Sequence, residues 1–337
     1  MKLNDYFRQF LSNVEPADAR VKEASASHTA VRRYLETDPD FKDFFLDSFL
    51  AGSYARDTAY EPIQDVDIIV VCKWDGEPSK LLTKLKSVLD KHYNYKAKTN
   101  PQRRSVRIDL SHISMDIVPA RHCSSGLAPL EVPDREQKKW VATNPKGHIE
   151  WVATLNKNTK QSESDQGRFV PLAKMFKYWK RNNLPDAKHP KGFWMECLVG
   201  WNHDPAARDW ADVFINAVQR IIDTYAPYKK SGVPVLTDPG LRHQTLATGM
   251  EAADFQVFYT RLERSLADAK TARADETGVA ESALLWQKVF GKKFPTKEQR
   301  DAYLKAEQAV AAASTTSLGT RSTRDVREPE QFGSGTP

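Results

Sequence analysis

Apolar side chains recur at three- and four-residue steps near the start of the chain, at Phe7, Phe10, Leu11 and Val14, and predict helix from Lys2 to about Asp38. The period then changes. Phe44–Ala51 reads as a short apolar strand or helix end running into Gly52-Ser53, and Asp65–Cys72 (DVDIIVVC) is β-branched and nearly continuous, the pattern of a buried strand. Ser79–His92 returns to helical spacing, with Leu81, Leu82, Leu85, Val88 and Leu89 on one side. Ser105–Leu110 and Ser114–Val118 alternate around a polar bend and predict a hairpin, while His122–Glu150 has no clear period and reads as a crossover. From Phe169 onward the pattern is helical. Leu172, Met175, Phe176 and Trp179 form one stripe, and Trp210, Val213, Phe214, Ala217 and Ile221 a second. Phe255, Phe258, Leu262, Leu266 and Ala269 form a third, and the last helix expected covers about Ala280–Phe290.

These elements predict an α+β half holding the strands, then a helical half, with boundaries at 1–150, 151–313 and a disordered Ser-, Thr-, Gly- and Pro-rich tail at 314–337. The 337 residues suit about two domains, and 40% hydrophobic with 10% aromatic residues excludes a wholly disordered chain. A net charge of +6 permits a phosphate-rich partner without demanding one. No apolar run approaches the ~18 residues of a membrane helix. Asp5 and Arg8 stand where a signal peptide would place its apolar block. Cys72, Cys123 and Cys197 form neither a disulfide framework nor a zinc pattern. A cytoplasmic protein without membrane attachment is therefore expected.

The chemistry concentrates in GSYARDTAYEPIQDVDIIV, Gly52–Val70. Asp65 and Asp67 lie two apart on a strand, so both carboxylates project from one face and repel each other unless protonated or bridged by a cation. Oxygen ligands without His or Cys nearby suit Mg²⁺ or Mn²⁺. Asp116, in SMDIVPA, is placed to supply a third carboxylate from an adjacent strand. Gly52-Ser53 offers a tight turn whose amides and hydroxyl can hold a triphosphate. Alone, a D-x-D is usually a solvated strand edge and Gly-Ser an ordinary turn; their coincidence with two apolar strands is what carries the reading.

Gly-Ser, then D-x-D twelve residues after the Ser, then a distant strand Asp resembles the polymerase-β-like nucleotidyltransferase signature. The segments VPDREQKKWVATNP, PLAKMFKYWKRNN followed by HPKGFWMECLVGW, and SALLWQKVFGKKFP narrow the resemblance to the bacterial cGAS/DncV-like nucleotidyltransferases (CD-NTases), nearest those of clade D, over about Lys2 to Pro295. The resemblance implies a polymerase-β-like sheet with flanking helices, packed against a C-terminal helical domain like that of oligoadenylate synthetases. It implies that Asp65, Asp67 and Asp116 hold two Mg²⁺ ions, with Asp116 nearest the attacking hydroxyl. Gly52, Ser53 and Lys177 would bind the donor triphosphate. It further implies a synthase of cyclic oligonucleotides from ATP and other NTPs, with a cyclic trinucleotide of adenine and guanine expected. Anti-phage (CBASS) signalling, a cyclic-nucleotide-responsive effector, and HORMA-type or ubiquitin-transfer-like operon partners follow from the same resemblance. One departure is Gly192-Phe193, where many relatives place a Ser before the aromatic.

Read without the family, Lys177 sits among Lys174, Lys180 and Arg181 and fits a solvated helix face. Between Lys91 and Arg107 stand six Lys or Arg and no acid, with Tyr93 and Tyr95 interleaved. That strip reads either as a nucleic-acid contact or, preferably, as a positive rim beside a nucleotide cleft. No recognition module accompanies it, so activation by nucleic acid has no support. The alternatives in function are a template-independent RNA terminal nucleotidyltransferase, an aminoglycoside-type nucleotidyltransferase, and a catalytically dead scaffold. All three Asp and Gly52-Ser53 speak against the last.

Overall fold

A computed structural model describes residues 3–246 and 248–315. The chain divides into a unit Met1–Pro295 and a second, Thr296–Pro337. In chain order the first unit contains α1 (Asn4–Val14), α2 (Asp18–Thr37), β1 (Phe45–Ala51), α3 (Gly52–Ala55), β2 (Asp65–Cys72) and α4 (Pro78–Leu89). Next come β3 (Thr99–Pro101), β4 (Val106–Asp109), β5 (Ser114–His122), β6 (Leu130–Asp134) and β7 (Lys139–Thr143). The helices α5 (Pro145–Asn158), α6 (Phe169–Asn183), α7 (Gly192–Asn202), α8 (Trp210–Tyr225), α9 (Ala252–Arg273) and α10 (Val279–Phe290) complete it. The second unit carries α11, Lys297–Thr315. Most of the expected tail lies outside the described residues, and its first two, Ser314 and Thr315, close α11. No described helix is long and apolar enough to cross a membrane.

The strands run in the order β1-β2-β5-β4-β3, with β6 and β7 continuing from the far end of β5. β2 and β5 are parallel, their connection passing through α4, β3 and β4, and the other pairs are antiparallel. The continuous apolar run of β2 is explained by burial on both faces. Val66, Ile68, Val70 and Cys72 enter a cluster with α2 and α4, while Ile69 and Val71 enter another with Phe49, Ala120 and Val132. Strand alternation therefore assigns Asp65 and Asp67 to the face away from α2 and α4. The same parity puts Asp116 there, since Met115 and Ile117 belong to the helix-covered cluster.

The helix expected from Lys2 to Asp38 is two. Pro16 holds the preceding Glu15 extended (φ −69°, ψ 137°), which ends α1. The two pieces then join different cores. Ala24, Val31 and Leu35 of α2 cover the sheet, whereas Phe7, Phe10, Leu11 and Val14 of α1, expected with the sheet half, pack into the helical half. Phe7 meets Trp286 edge-on at 4.8 Å between centroids, and Phe10 stacks on Phe290 at 4.7 Å. Phe7→Ala is expected to cost about 3–5 kcal/mol, read by denaturant unfolding, because Phe7 is fully enclosed.

The aperiodic stretch expected as a crossover holds the β6–β7 hairpin and the start of α5. Asn144 caps α5 by accepting from Gly147 N at 2.9 Å, with Pro145 at the first helical position. The boundary expected at 150/151 thus falls within this helix. Three of the expected stripes correspond to α6, α8 and α9, and the helix ending at Phe290 to α10.

Candidate active site

Asp65 and Asp67 lie at the start of β2, and Asp116 pairs in register with Asp67 across the parallel β2–β5 ladder. The sheet thus brings the three predicted carboxylates to one face. Burial, then Asp65 and Asp116, push the Asp67 carboxyl up to about 7. Burial and Asp116 likewise raise Asp65, against the pull of Arg107. Among the described residues no three His, Cys, Asp or Glu side chains stand in ready metal-ligating geometry. Arg107, on β4 opposite Asp116, engages two of the carboxylates: its Nη2 donates to Asp116 Oδ2 at 2.6 Å and to Asp65 Oδ2 at 3.1 Å. The donor set itself, adjacent hard carboxylates that burial leaves reluctant to ionise, fits a divalent cation.

Gly52 follows β1 and opens α3 at φ +66°. A Cβ there would lie 1.6 Å from Asp67 Oδ2, so only glycine lets the Gly52-Ser53 turn approach the carboxylate. Gly52→Ala is expected to displace Asp67 and to lower the nucleotidyl transfer that the resemblance implies by about two orders of magnitude, measured as pyrophosphate release.

Lys177 is not a solvated face. It is 7% exposed, and its Nζ donates to Thr58 O at 3.0 Å and Thr58 Oγ1 at 3.2 Å and pairs with Glu196. Glu196, on α7, also receives Arg56 Nε at 2.9 Å and Nη2 at 3.1 Å. Burial alone would raise the Glu196 carboxyl, yet Arg56 and Lys177 hold it down at about 2. Arg56 comes from α3's C-cap and also lies over the Phe193 ring at 4.6 Å. A buried Arg56–Glu196–Lys177 cluster therefore joins the Gly52-Ser53 segment to the helical half. The Gly192 departure has a local counterpart: a Cβ there would stand 3.6 Å from Lys177 Cε.

A cleft of about 820 Å³ separates the two halves. Gly52, Ser53, Asp65 and Asp67 line one wall. Lys177, Lys180, Arg181, Lys188 and Lys191 line the other, a cationic surface facing the carboxylates. Asp116 is not among the lining residues; it is turned to Arg107, which with Ser105 takes up its oxygens. Lys180 and Arg181 sit three and four residues after Lys177, a helical spacing that could have grouped them from sequence.

A profile of the Second Messenger Oligonucleotide or Dinucleotide Synthetase domain matches residues 1–156. A Cyclic AMP-AMP-AMP synthase from Acinetobacter sp. is 33% identical over 320 residues, 92% of this chain and 90% of that protein. The chain belongs to the bacterial CD-NTases. A Cyclic AMP-AMP-GMP synthase from Enterobacter hormaechei is 26% identical, with 88% of this chain and 92% of that protein covered. CdnC of E. coli MS115-1, solved with ATP, superposes with a TM-score of 0.68 at 16% identity, over 88% of this chain and 99% of that one. It has also been solved in a HORMA-ΔN complex. These agree with the expected α+β fold and with the expected enzyme class: this CD-NTase is a nucleotidyltransferase that makes cyclic oligonucleotides from ribonucleoside triphosphates.

The basic strip of this CD-NTase is largely committed to its own fold. Lys91 pairs with Asp40, Arg103 and Arg104 both pair with the buried Asp134, and Arg107 serves the carboxylate cluster. Alternation in RSVRID could have revealed Arg107, because it has the strand parity opposite to that of Val106 and Ile108, which enter the helix-covered core.

Proposed function

We propose that this CD-NTase condenses three ribonucleoside triphosphates, at least two of them ATP, into a cyclic trinucleotide. The carrying observation is near-full-length similarity to two enzymes named for trinucleotide products. The third base is guanine in the reading expected from sequence; the 33% identity to the AMP-AMP-AMP enzyme supports an all-adenine ring as the second reading. In each step a ribose hydroxyl oxygen bonds to an α-phosphorus, the bond to the β-phosphate bridging oxygen breaks, and pyrophosphate leaves. Three triphosphates thus give one ring and three pyrophosphates.

Asp65, Asp67 and Asp116 are the residues that would hold two Mg²⁺ ions, Mn²⁺ being the alternative. Bound there, the ions supply charge stabilisation for the attacking and leaving oxygens. Asp116 is assigned to the hydroxyl proton. Gly52 and Ser53 are assigned to the triphosphate through backbone amides and the Ser53 hydroxyl, a role supported by the closeness of Gly52 to Asp67. Lys177, with its neighbours on the cationic wall, offsets the charge of the departing pyrophosphate. Their preset positions make the electrostatic help available without rearrangement.

In the cell this reading places the enzyme in the cytoplasm in anti-phage signalling, upstream of a cyclic-nucleotide-responsive effector. The HORMA-ΔN complex of CdnC supports a HORMA-type operon partner over a ubiquitin-transfer-like one. Incubation with ATP alone and with ATP plus GTP in Mg²⁺, followed by mass spectrometry, tests the chemistry. A cyclic trinucleotide supports it, its mass giving the third base. Linear tails on added RNA, or no product, would sink it.

A further inference from the structure

Arg107 has no part in the chemistry proposed above, yet it bonds two of the three carboxylates, Asp65 and Asp116. It stands on β4 directly opposite Asp116. Its neighbours Val106 and Ile108 are buried on the helix-covered side, so strand alternation turns Arg107 onto the carboxylate face. There it takes both oxygens of Asp116, Nε to Oδ1 at 3.1 Å and Nη2 to Oδ2 at 2.6 Å. The same Nη2 reaches Asp65 Oδ2 at 3.1 Å. Ser105 Oγ adds a bond to Asp116 Oδ1 at 3.3 Å.

We infer that Arg107 is a positioning residue which gathers Asp65 and Asp116 into one cluster and competes with divalent cations for their oxygens. The inference rests on the metal assignment proposed above. A guanidinium keeps its charge at any working pH and matches a carboxylate with a planar fork. Three carboxylates on one sheet face repel one another, and Arg107 offsets that repulsion from within the fold. A cation that takes Asp116 shares its oxygens with these bonds and meets the guanidinium's positive charge beside them. Arg107 therefore sets the cation concentration at which the site fills.

Mn²⁺ binding to the full-length protein, followed by the electron paramagnetic resonance of free Mn²⁺, tests this. Arg107→Gln is expected to bind Mn²⁺ about tenfold tighter than wild type, because a unit charge beside the ligands is removed. Arg107→Lys, which keeps the charge but loses the fork, is expected to stay within about threefold of wild type. In EDTA, Arg107→Gln is expected to unfold at lower temperature. A second measurement needs no neutral variant. The Arg107 Nε–H resonance of the wild type, identified by its loss in Arg107→Lys, is expected to shift and exchange faster with water as Mg²⁺ is added. Unchanged or weaker Mn²⁺ binding in Arg107→Gln, or an Nε–H resonance indifferent to saturating Mg²⁺, overturns the role of Arg107. Mn²⁺ binding that survives Asp65→Asn with Asp67→Asn overturns the metal assignment itself, a distinguishable failure.

Discussion

Asp65→Asn combined with Asp67→Asn is expected to abolish cyclic product while the protein, unfolded thermally in EDTA, is as stable as wild type or more so. The two carboxylates share one face of the sheet with Asp116; burial with Asp65 and Asp116 makes ionisation of Asp67 harder, and burial with Asp116 does so for Asp65. The sign of the pH dependence follows. A carboxyl raised in the folded state retains its proton where the unfolded chain has released it, so ionising Asp67 costs stability as pH rises from about 4 through about 7. A rise from 3.8 to about 7 is worth at most about 4 kcal/mol. The double variant carries no such penalty. Its stability margin over wild type is therefore expected to widen across that window and to be smallest near pH 4. Cyclic product from the double variant at saturating Mg²⁺ would remove these residues from the chemistry. A margin that narrows with pH would contradict the electrostatic account.

Glu196→Gln is expected to be the most damaging single substitution for the fold around the cleft, at about 3–5 kcal/mol, because it leaves two buried cations without their anion. Arg56 and Lys177 both depend on Glu196, whose side chain is fully enclosed. The Glu196 carboxyl lies at about 2, below its ordinary value, so its contribution is complete above about pH 4.5 and lost only as pH falls toward 2. Lys177→Ala should disturb the fold less, since Arg56 still compensates Glu196. Its burial nonetheless adds a stability cost to the raised NTP requirement expected from its place on the cleft wall. Denaturant midpoints and NTP titrations of the two variants check the order. A Glu196→Gln protein as stable as wild type at pH 7 would show that the cluster contributes no net stability.

Much of this arrangement was readable from the residues, and the reasons it was incomplete are physical. DVDIIVVC announced a strand buried on both sides, and a two-residue spacing put Asp65 and Asp67 together without any knowledge of the fold. Asp116 was nameable as an Asp within a second apolar strand, but its place opposite Asp67 required the β2–β5 register, which short-range patterns do not contain. Glu196 was hidden because a charged residue within an apolar helix has no sequence mark of its partners, here Arg56 and Lys177, 140 and 19 residues away. Lys177 looked like one cation among four on a polar helix. Burial by another element decided otherwise. The α1–α2 break was missed by the helical reading from Lys2 to Asp38 although Pro16 marks it, and which core each helix would join was not legible, since both carry amphipathic stripes.

The docking of α1 also dictates an order of events during synthesis. Phe7 and Phe10 close on Trp286, Phe290 and Phe294, and Asn13 Nδ2 donates to Lys293 O at 2.8 Å across 280 positions. At roughly 5–20 residues per second, α1 leaves the ribosome some tens of seconds before its partners exist. The sheet core, whose buried residues run from Ala24 to Ile117, can close during that interval. The helical core cannot, and through that wait two phenylalanines are presented to solvent, to chaperones and to other nascent chains. Shape is thus acquired first in the sheet core between Ala24 and Ile117, and α1, made before it, is among the last elements to find its place.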